Sequence, residues 1–180
     1  MDAPRETEVK LRVSDVGAAR AALRALGARL ARARHFEDNV LFDDGAGSLR
    51  SRGSVLRLRR AGGSGLLTFK GPREVTGGVK SREERETVVA DPDALDGILG
   101  RLGFRPVFRY QKYRESWTHR GQAIEVDETP IGVFLEIEGD RAGIEAVAAQ
   151  LGYSPQDYLG DSYVGLYLAQ GGQGDMVFEA

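Results

Sequence analysis

The sequence predicts an α+β fold, in which an antiparallel β-sheet carries amphipathic helices on one of its faces. Three observations predict it. Short runs alternate polar and apolar residues with a period of two, tight glycine turns join several of them in pairs, and three segments carry apolar stripes at spacings of three and four. A chain of 180 residues is long enough to bury one substantial core. The expected organisation is one domain over residues 1–170, followed by a flexible, glycine-rich tail over 171–180 that reads GGQGDMVFEA.

The first element is ETEVKLRV, residues 6–13. Read as a strand, it places Glu6, Glu8, Lys10 and Arg12 on one face and Thr7, Val9, Leu11 and Val13 on the other. Next, SDVGAARAALRALGARL offers Ser14 as N-cap and a stripe of Val16, Ala19, Leu23, Leu26 and Leu30. Its arginine-rich end, RALGARLARARHF, reads as a solvated helix end, with a basic patch as the alternative. Two more helices are expected in DPDALDGILGRLGF, with Leu95, Ile98, Leu99 and Leu102 as its stripe, and in DRAGIEAVAAQLGY, with Ile144, Val147, Ala148 and Leu151. Each of the three segments reaches a Leu-Gly pair, and Gly103 and Gly152 fit helix stops. Gly27 either ends its helix early or is passed through.

Between the helices, VLRLRR and LLTFKG flank a turn containing Gly62, Gly63 and Gly65, and a second hairpin turns at Arg120-Gly121. With KSREERETVVA, RYQKYRESWT, QAIEVDE and VFLEIEG, the reading is about eight strands and three or four helices. The GGSG turn lacks the Gly-Lys-Ser/Thr ending of a phosphate-binding P-loop.

Composition narrows the chemistry. With 25 basic and 27 acidic residues there is no overall basic field, so no nucleic-acid partner is expected, and no apolar run is long enough to predict a membrane span. The charged start, Met1 to Leu11, does not resemble a signal peptide, and the absence of cysteine suits a reducing compartment; the expected location is cytoplasmic. Two histidines, His35 and His119, are too few for an imidazole-built metal centre.

The same parity test recurs down the chain. Arg57 and Arg59 share one face against Leu56 and Leu58. Lys70 opposes Leu67 and Phe69, and Tyr110, Lys112 and Arg114 fall together. Glu125 and Asp127 oppose Ile124 and Val126, and Glu136 and Glu138 oppose Leu135 and Ile137, while Arg82, Glu84 and Glu86 share a parity whose opposite is also polar. A sheet with one wet face alternates in this way too. Like charges nevertheless recur two residues apart on one face, roughly 6.5–7 Å at strand rise, where ordinary surfaces mix signs.

If the sheet instead curls into a barrel, apolar face outward beneath the helices, seven carboxylates (Glu6, Glu8, Glu84, Glu86, Asp127, Glu136, Glu138) and seven cations (Lys10, Arg57, Arg59, Lys70, Arg82, Lys112, Arg114) point inward. So many charges must pair, stay hydrated or meet a ligand. A phosphate chain carried by a hard divalent ion, Mg²⁺ or Mn²⁺, suits that lining, with Glu6 and Glu8 toward metal and Lys10 toward phosphate. For Tyr110 and Tyr163 a place at the tunnel border is the lesser alternative, whereas Trp117 and Tyr113 are expected to pack elsewhere.

The ordered motifs Glu6-x-Glu8-x-Lys10, LRLR at 56–59, TFKGP at 68–72, SREERE at 81–86, YQKYR at 110–114 and VDETPIGVFLEIEG at 126–139 resemble the CYTH superfamily of triphosphate tunnel metalloenzymes. This resemblance spans roughly residues 5 to 168. It implies a closed eight-stranded antiparallel β-barrel, the tunnel, with flanking amphipathic helices. It also implies metal binding by Glu6, Glu8, Asp127, Glu136 and Glu138, and phosphate binding by Lys10, Arg57, Arg59, Lys70, Lys112 and Arg114. Arg82, Glu84 and Glu86 match a lining segment, with Arg82 grouped among the substrate-binding residues; Glu6, Glu8, Lys10, Glu136 and Glu138 are the implied catalytic set.

Within the superfamily, HFEDNVLFD and DSYVGLY look most like proteins grouped with class IV adenylyl cyclases. The first of these departs from the Asp-x-Tyr strand of many members, so no base or ribose contact is carried over there. The implied activity is conversion of ATP to cyclic AMP and pyrophosphate. The alternatives are an inorganic, thiamine or nucleoside triphosphatase and a non-catalytic binder of polyphosphate or nucleotide. The resemblance also suggests a homodimer.

Overall fold

The computed structural model describes residues 4–179; residues 1–3 of the expected domain and residue 180 of the expected tail lie outside the described residues. The strands are β1 (Arg5–Val13), β2 (Arg29–Asp44), β3 (Val55–Ala61), β4 (Ser64–Lys70), β5 (Glu74–Thr76), β6 (Val79–Val89), β7 (Phe104–His119), β8 (Gln122–Thr129) and β9 (Gly132–Glu138). They run in the order β1-β9-β8-β7-β2-β3-β4-β6, and β1 pairs back onto β6 from Arg5↔Glu83 to Glu8↔Lys80, closing a ring of eight antiparallel strands. The short β5 adds to β6 over Val79–Ser81, continuing the side on which β4 pairs farther along.

Hairpin chemistry enforces this order. Gly62 and Gly63 both have positive φ (60° and 83°), as a two-residue turn matching strand twist requires, and Arg120-Gly121 repeats the geometry at 48° and 83°.

The helices are α1 (Val16–Ala25), α2 (Ser48–Ser51), α3 (Pro92–Arg101), α4 (Arg141–Gln150) and α5 (Tyr163–Ala169). α1 is capped by Asp15, whose carboxylate accepts the Ala18 N–H, rather than by Ser14. Gly27 stops it in the left-handed conformation (φ 78°), so the arginine-rich stretch read as a helix end is the start of β2, and Leu30 is half exposed on a strand instead of completing the helix stripe. The Leu-Gly signal overrides the longer apolar period. α2 and α5 bring the helices to five, more than the three or four expected, because neither is long enough to show a stripe.

The core lies outside the barrel. Val9, Leu11, Ile124, Val126, Leu135 and Ile137 point outward from the strands and meet Ala19 and Leu23 of α1 and Ile144, Val147 and Ala148 of α4. On the opposite wall Leu99 of α3 packs on Leu58 and Phe42. Each fully buried Leu or Ile contributes about 1.5–3 kcal/mol, which binds the helices to the outer face and leaves the ionic parity inside.

Two seams in the barrel are filled by later chain. Past Glu8 the β6 ladder leaves β1, and the Leu159 N–H donates to the Lys10 carbonyl at 2.8 Å. Before Tyr113, where β8 pairing begins, Met176 takes the edge of β7: its N–H donates to Arg109 O and its carbonyl accepts from Gln111 N, both at 2.9 Å. Met176 is buried against Tyr110, Phe134 and Tyr163, so part of the segment read as a flexible tail is seated in the wall.

Candidate functional site

The inward parity of the strands lines a cavity of about 1300 Å³. Glu6, Glu8, Lys10, Arg57, Arg59, Lys70, Arg82, Glu84, Glu86, Lys112, Arg114, Glu136 and Glu138 all lie on its wall, and Asp127 sits just behind it, fully buried. The expected site residues therefore converge on one enclosed space.

Carboxylates dominate one sector. Glu8 stands opposite Glu138 on β9 and Lys80 on β6, and its carboxylate is bound by the Lys80 ammonium. Lys70 Nζ bridges Glu6 and Glu84, 2.7 Å from each. Burial and a hydrogen bond with Glu6 push Glu84 up to about 8. Burial also opposes ionisation of Glu6, but the Glu84 hydrogen bond and the Lys70 charge outweigh it and hold Glu6 at about 2. The two share one proton at neutral pH. Glu138 is raised to about 7 by burial and then by the charges of Glu6 and Glu8. This sector holds more negative charge than its lysines offset.

Cations dominate the other sector. Arg114 grips Asp127 with two hydrogen bonds of 2.7 and 2.6 Å and also binds Glu136, which is held in turn by the Lys10 ammonium. Lys112 lies 2.8 Å from Asp127, and Arg59 lies 3.3 Å from Glu37. Burial works against ionisation of Glu37, yet Lys112, Arg114, Arg59 and Arg57 draw it down to about 2. Arg59 is itself lowered by burial and by the neighbouring Arg57 charge. Arg57 donates to Thr68 (3.1 Å) and Glu86 (3.3 Å), but its buried Nε has no acceptor among the described residues. An unmatched guanidinium donor on a crowded cationic wall suits an anion's oxygen.

Several wall residues went unread in the sequence. Glu37 anchors two cations from inside β2, where the adjacent Glu37 and Asp38 hide the parity; Asp38 faces out to Arg109. Lys80 extends the Arg82 parity by one step and was legible. Tyr110 and Tyr163 both reach the wall, the alternative the sequence left open for them, and Trp117 packs in the outer core.

The family model of the CYTH domain matches residues 4–160. The chain belongs to the CYTH domain family. A curated CYTH relative from Methanocaldococcus jannaschii, named as a candidate adenylate cyclase, is 28% identical over 134 residues, covering 74% of this chain and 75% of its own. The barrel superimposes on a solved structure from Vibrio parahaemolyticus, described as a candidate adenylate cyclase, with a TM-score of 0.80 at 21% identity, covering 93% of this chain and 99% of that one. It also superimposes on a protein from Hippeastrum, described as a candidate adenylyl cyclase with a dominant triphosphatase activity, with a TM-score of 0.69 at 23% identity, covering 93% and 97%.

Glu6, Glu8 and Glu138 are oxygen donors of the kind a hard divalent cation takes, and the charges of Glu6 and Glu8, which after burial raise the proton affinity of Glu138, would attract a cation as well. Among the described residues no three acidic or histidine side chains already stand in metal-holding geometry, and Glu6 and Glu8 are each tied to a lysine that a metal would displace. Asp127 and Glu136 do not suit the metal role implied for them. The oxygens of Asp127 are occupied by Arg114, Lys112 and the Tyr163 hydroxyl, behind the wall, and those of Glu136 by the Lys10 ammonium and Arg114. Among the described residues no helix is long and apolar enough to cross a membrane.

Proposed function

We propose that this barrel is a divalent-metal-dependent enzyme that acts on a triphosphate, with cyclisation of ATP to cyclic AMP and pyrophosphate as its leading activity. The observation that carries the proposal is the division of one enclosed wall into a carboxylate-rich sector and a cationic sector. A triphosphate carrying a divalent ion has the charges to meet both.

Lys10, Arg57, Arg59, Lys112 and Arg114 are placed to bind the phosphate oxygens, and the carboxylates behind them, Glu136, Asp127 and Glu37, hold them in position before substrate arrives. Glu6, Glu8 and Glu138 would hold a divalent ion, which would neutralise phosphate charge and lower the pKa of the attacking hydroxyl. In cyclisation the ribose 3′ oxygen bonds to the α-phosphorus, the bond from that phosphorus to the bridging oxygen breaks, and pyrophosphate departs against the cations. Glu138 helps hold the ion that acidifies the hydroxyl, and the released proton passes to solvent through the open cavity. Leu41, Val107 and Phe108 on the cavity wall offer apolar surface to a nucleoside.

Hydrolysis is the second reading, favoured by the likeness of the barrel to the Hippeastrum protein described with a dominant triphosphatase activity. The same lining can orient a water for attack on a terminal phosphorus, whose bond to the bridging oxygen breaks and releases orthophosphate. Incubating the protein with ATP or tripolyphosphate and Mg²⁺ or Mn²⁺ and separating the products distinguishes the readings. Cyclic AMP with pyrophosphate supports cyclisation, orthophosphate supports hydrolysis, and binding without turnover leaves a polyphosphate-binding module.

A further inference from the structure

Tyr163 lies past residue 160, where the family match ends, on a helix that belongs to no wall of the barrel, yet it reaches the ionic interior. Its hydroxyl donates to Asp127 Oδ2 at 2.7 Å, the oxygen that also receives Lys112 and Arg114. Its ring faces the Lys10 ammonium at 4.2 Å and the Lys112 ammonium at 5.3 Å from the centroid. One side chain thus touches the shared anchor of two tunnel cations and the face of a third. Its approach is fixed from both ends. Leu159 is bonded to the Lys10 backbone, Ser162 caps the helix through the Gly165 N–H, and Phe134 packs edge-on against the ring at 5.2 Å.

We infer that Tyr163 is a positioning residue for the phosphate site: its hydroxyl holds Asp127, its ring restrains Lys10 and Lys112, and together they set the cationic wall before a triphosphate enters. The inference rests on the triphosphate reading given above. Physical reasoning separates the two contributions. The hydroxyl adds a donor to a carboxylate already carrying three hydrogen bonds from two cations, so its loss loosens Asp127 without stripping it. The ring contributes cation–π attraction in a desolvated site, so its loss removes one restraint from Lys10 and Lys112 and leaves them to their carboxylate partners Glu136, Asp127 and Glu37.

The test is calorimetric titration of tripolyphosphate, without metal, into wild-type protein, Tyr163→Phe and Tyr163→Leu, alongside thermal unfolding and KM and kcat for whichever triphosphate is turned over. Phe keeps the ring and should weaken binding about 5- to 10-fold; Leu loses both and should weaken it about 100-fold. The loss should appear in KM more than in kcat, with Phe partly restoring what Leu removes. Unchanged affinity in a folded Tyr163→Phe protein overturns the inference while the triphosphate reading stands. A wild-type protein that binds no tripolyphosphate overturns the reading and this inference with it. If Tyr163→Leu does not fold, the near-isosteric Phe variant decides alone.

Discussion

Glu8 and Glu138 face each other across the β1–β9 ladder, where burial, and then the charges of Glu6 and Glu8, lift Glu138 to a pKa of about 7. Sequence alternation brought these acids to one face; barrel closure made their repulsion count.

That repulsion has a pH signature. Glu138 and Glu84 bind protons more tightly folded than unfolded, so the stability they contribute is full below about 4.5 and is lost as pH rises through about 7 and 8. Glu6 and Glu37, both lowered, act oppositely, and their contribution is lost only as pH falls from about 4.5 toward 2. The melting temperature should therefore decline between pH 5 and 8. Glu138→Gln should flatten that decline, and so should saturating Mn²⁺, which replaces the proton. Identical slopes in wild type and variant would contradict the assignment.

Asp127 should behave as an anchor. Asp127→Ala leaves Lys112 and Arg114 buried without their shared partner, at a cost of about 3–5 kcal/mol, readable by urea denaturation. A loss of metal affinity with stability intact would instead restore the metal role implied by family resemblance.

Arg57 should act on the ligand. Its Nε has no acceptor among the described residues, so Arg57→Ala should weaken tripolyphosphate binding about 10- to 100-fold, and Arg57→Lys should recover only part because the planar fork is lost. Equal binding by Lys and Arg would show that charge alone matters.

The seated tail is testable separately. Met176→Ala opens a gap beside Tyr110, Phe134 and Tyr163 and should cost about 2–5 kcal/mol in chemical denaturation. A change below about 0.5 kcal/mol would mean that the segment is not held there in solution.

Much of this was legible before any coordinates. Period-two alternation placed Glu6, Glu8 and Lys10, Arg57 and Arg59, Lys112 and Arg114, and Glu136 and Glu138 on the inner face, because a strand has only two faces and the helices needed the apolar one. Alternation says nothing about closure; that rests on the return of β1 to β6, a contact between residues far apart in sequence. The arginine run misled because Leu26 and Leu30 fit a helical period that Gly27 had already ended. Tyr163 and Met176 carry no local signal for the contacts they make. Each fills a seam that exists only after the strands have paired.

The most direct test of the enclosed ionic wall is a crystal grown with tripolyphosphate and Mn²⁺, with anomalous data collected for manganese. The account predicts the phosphate chain inside the barrel against Lys10, Arg57, Arg59, Lys112 and Arg114, with an anomalous peak beside Glu6, Glu8 and Glu138. Phosphate and manganese bound only on the outer surface, with the interior ion pairs undisturbed, would contradict it.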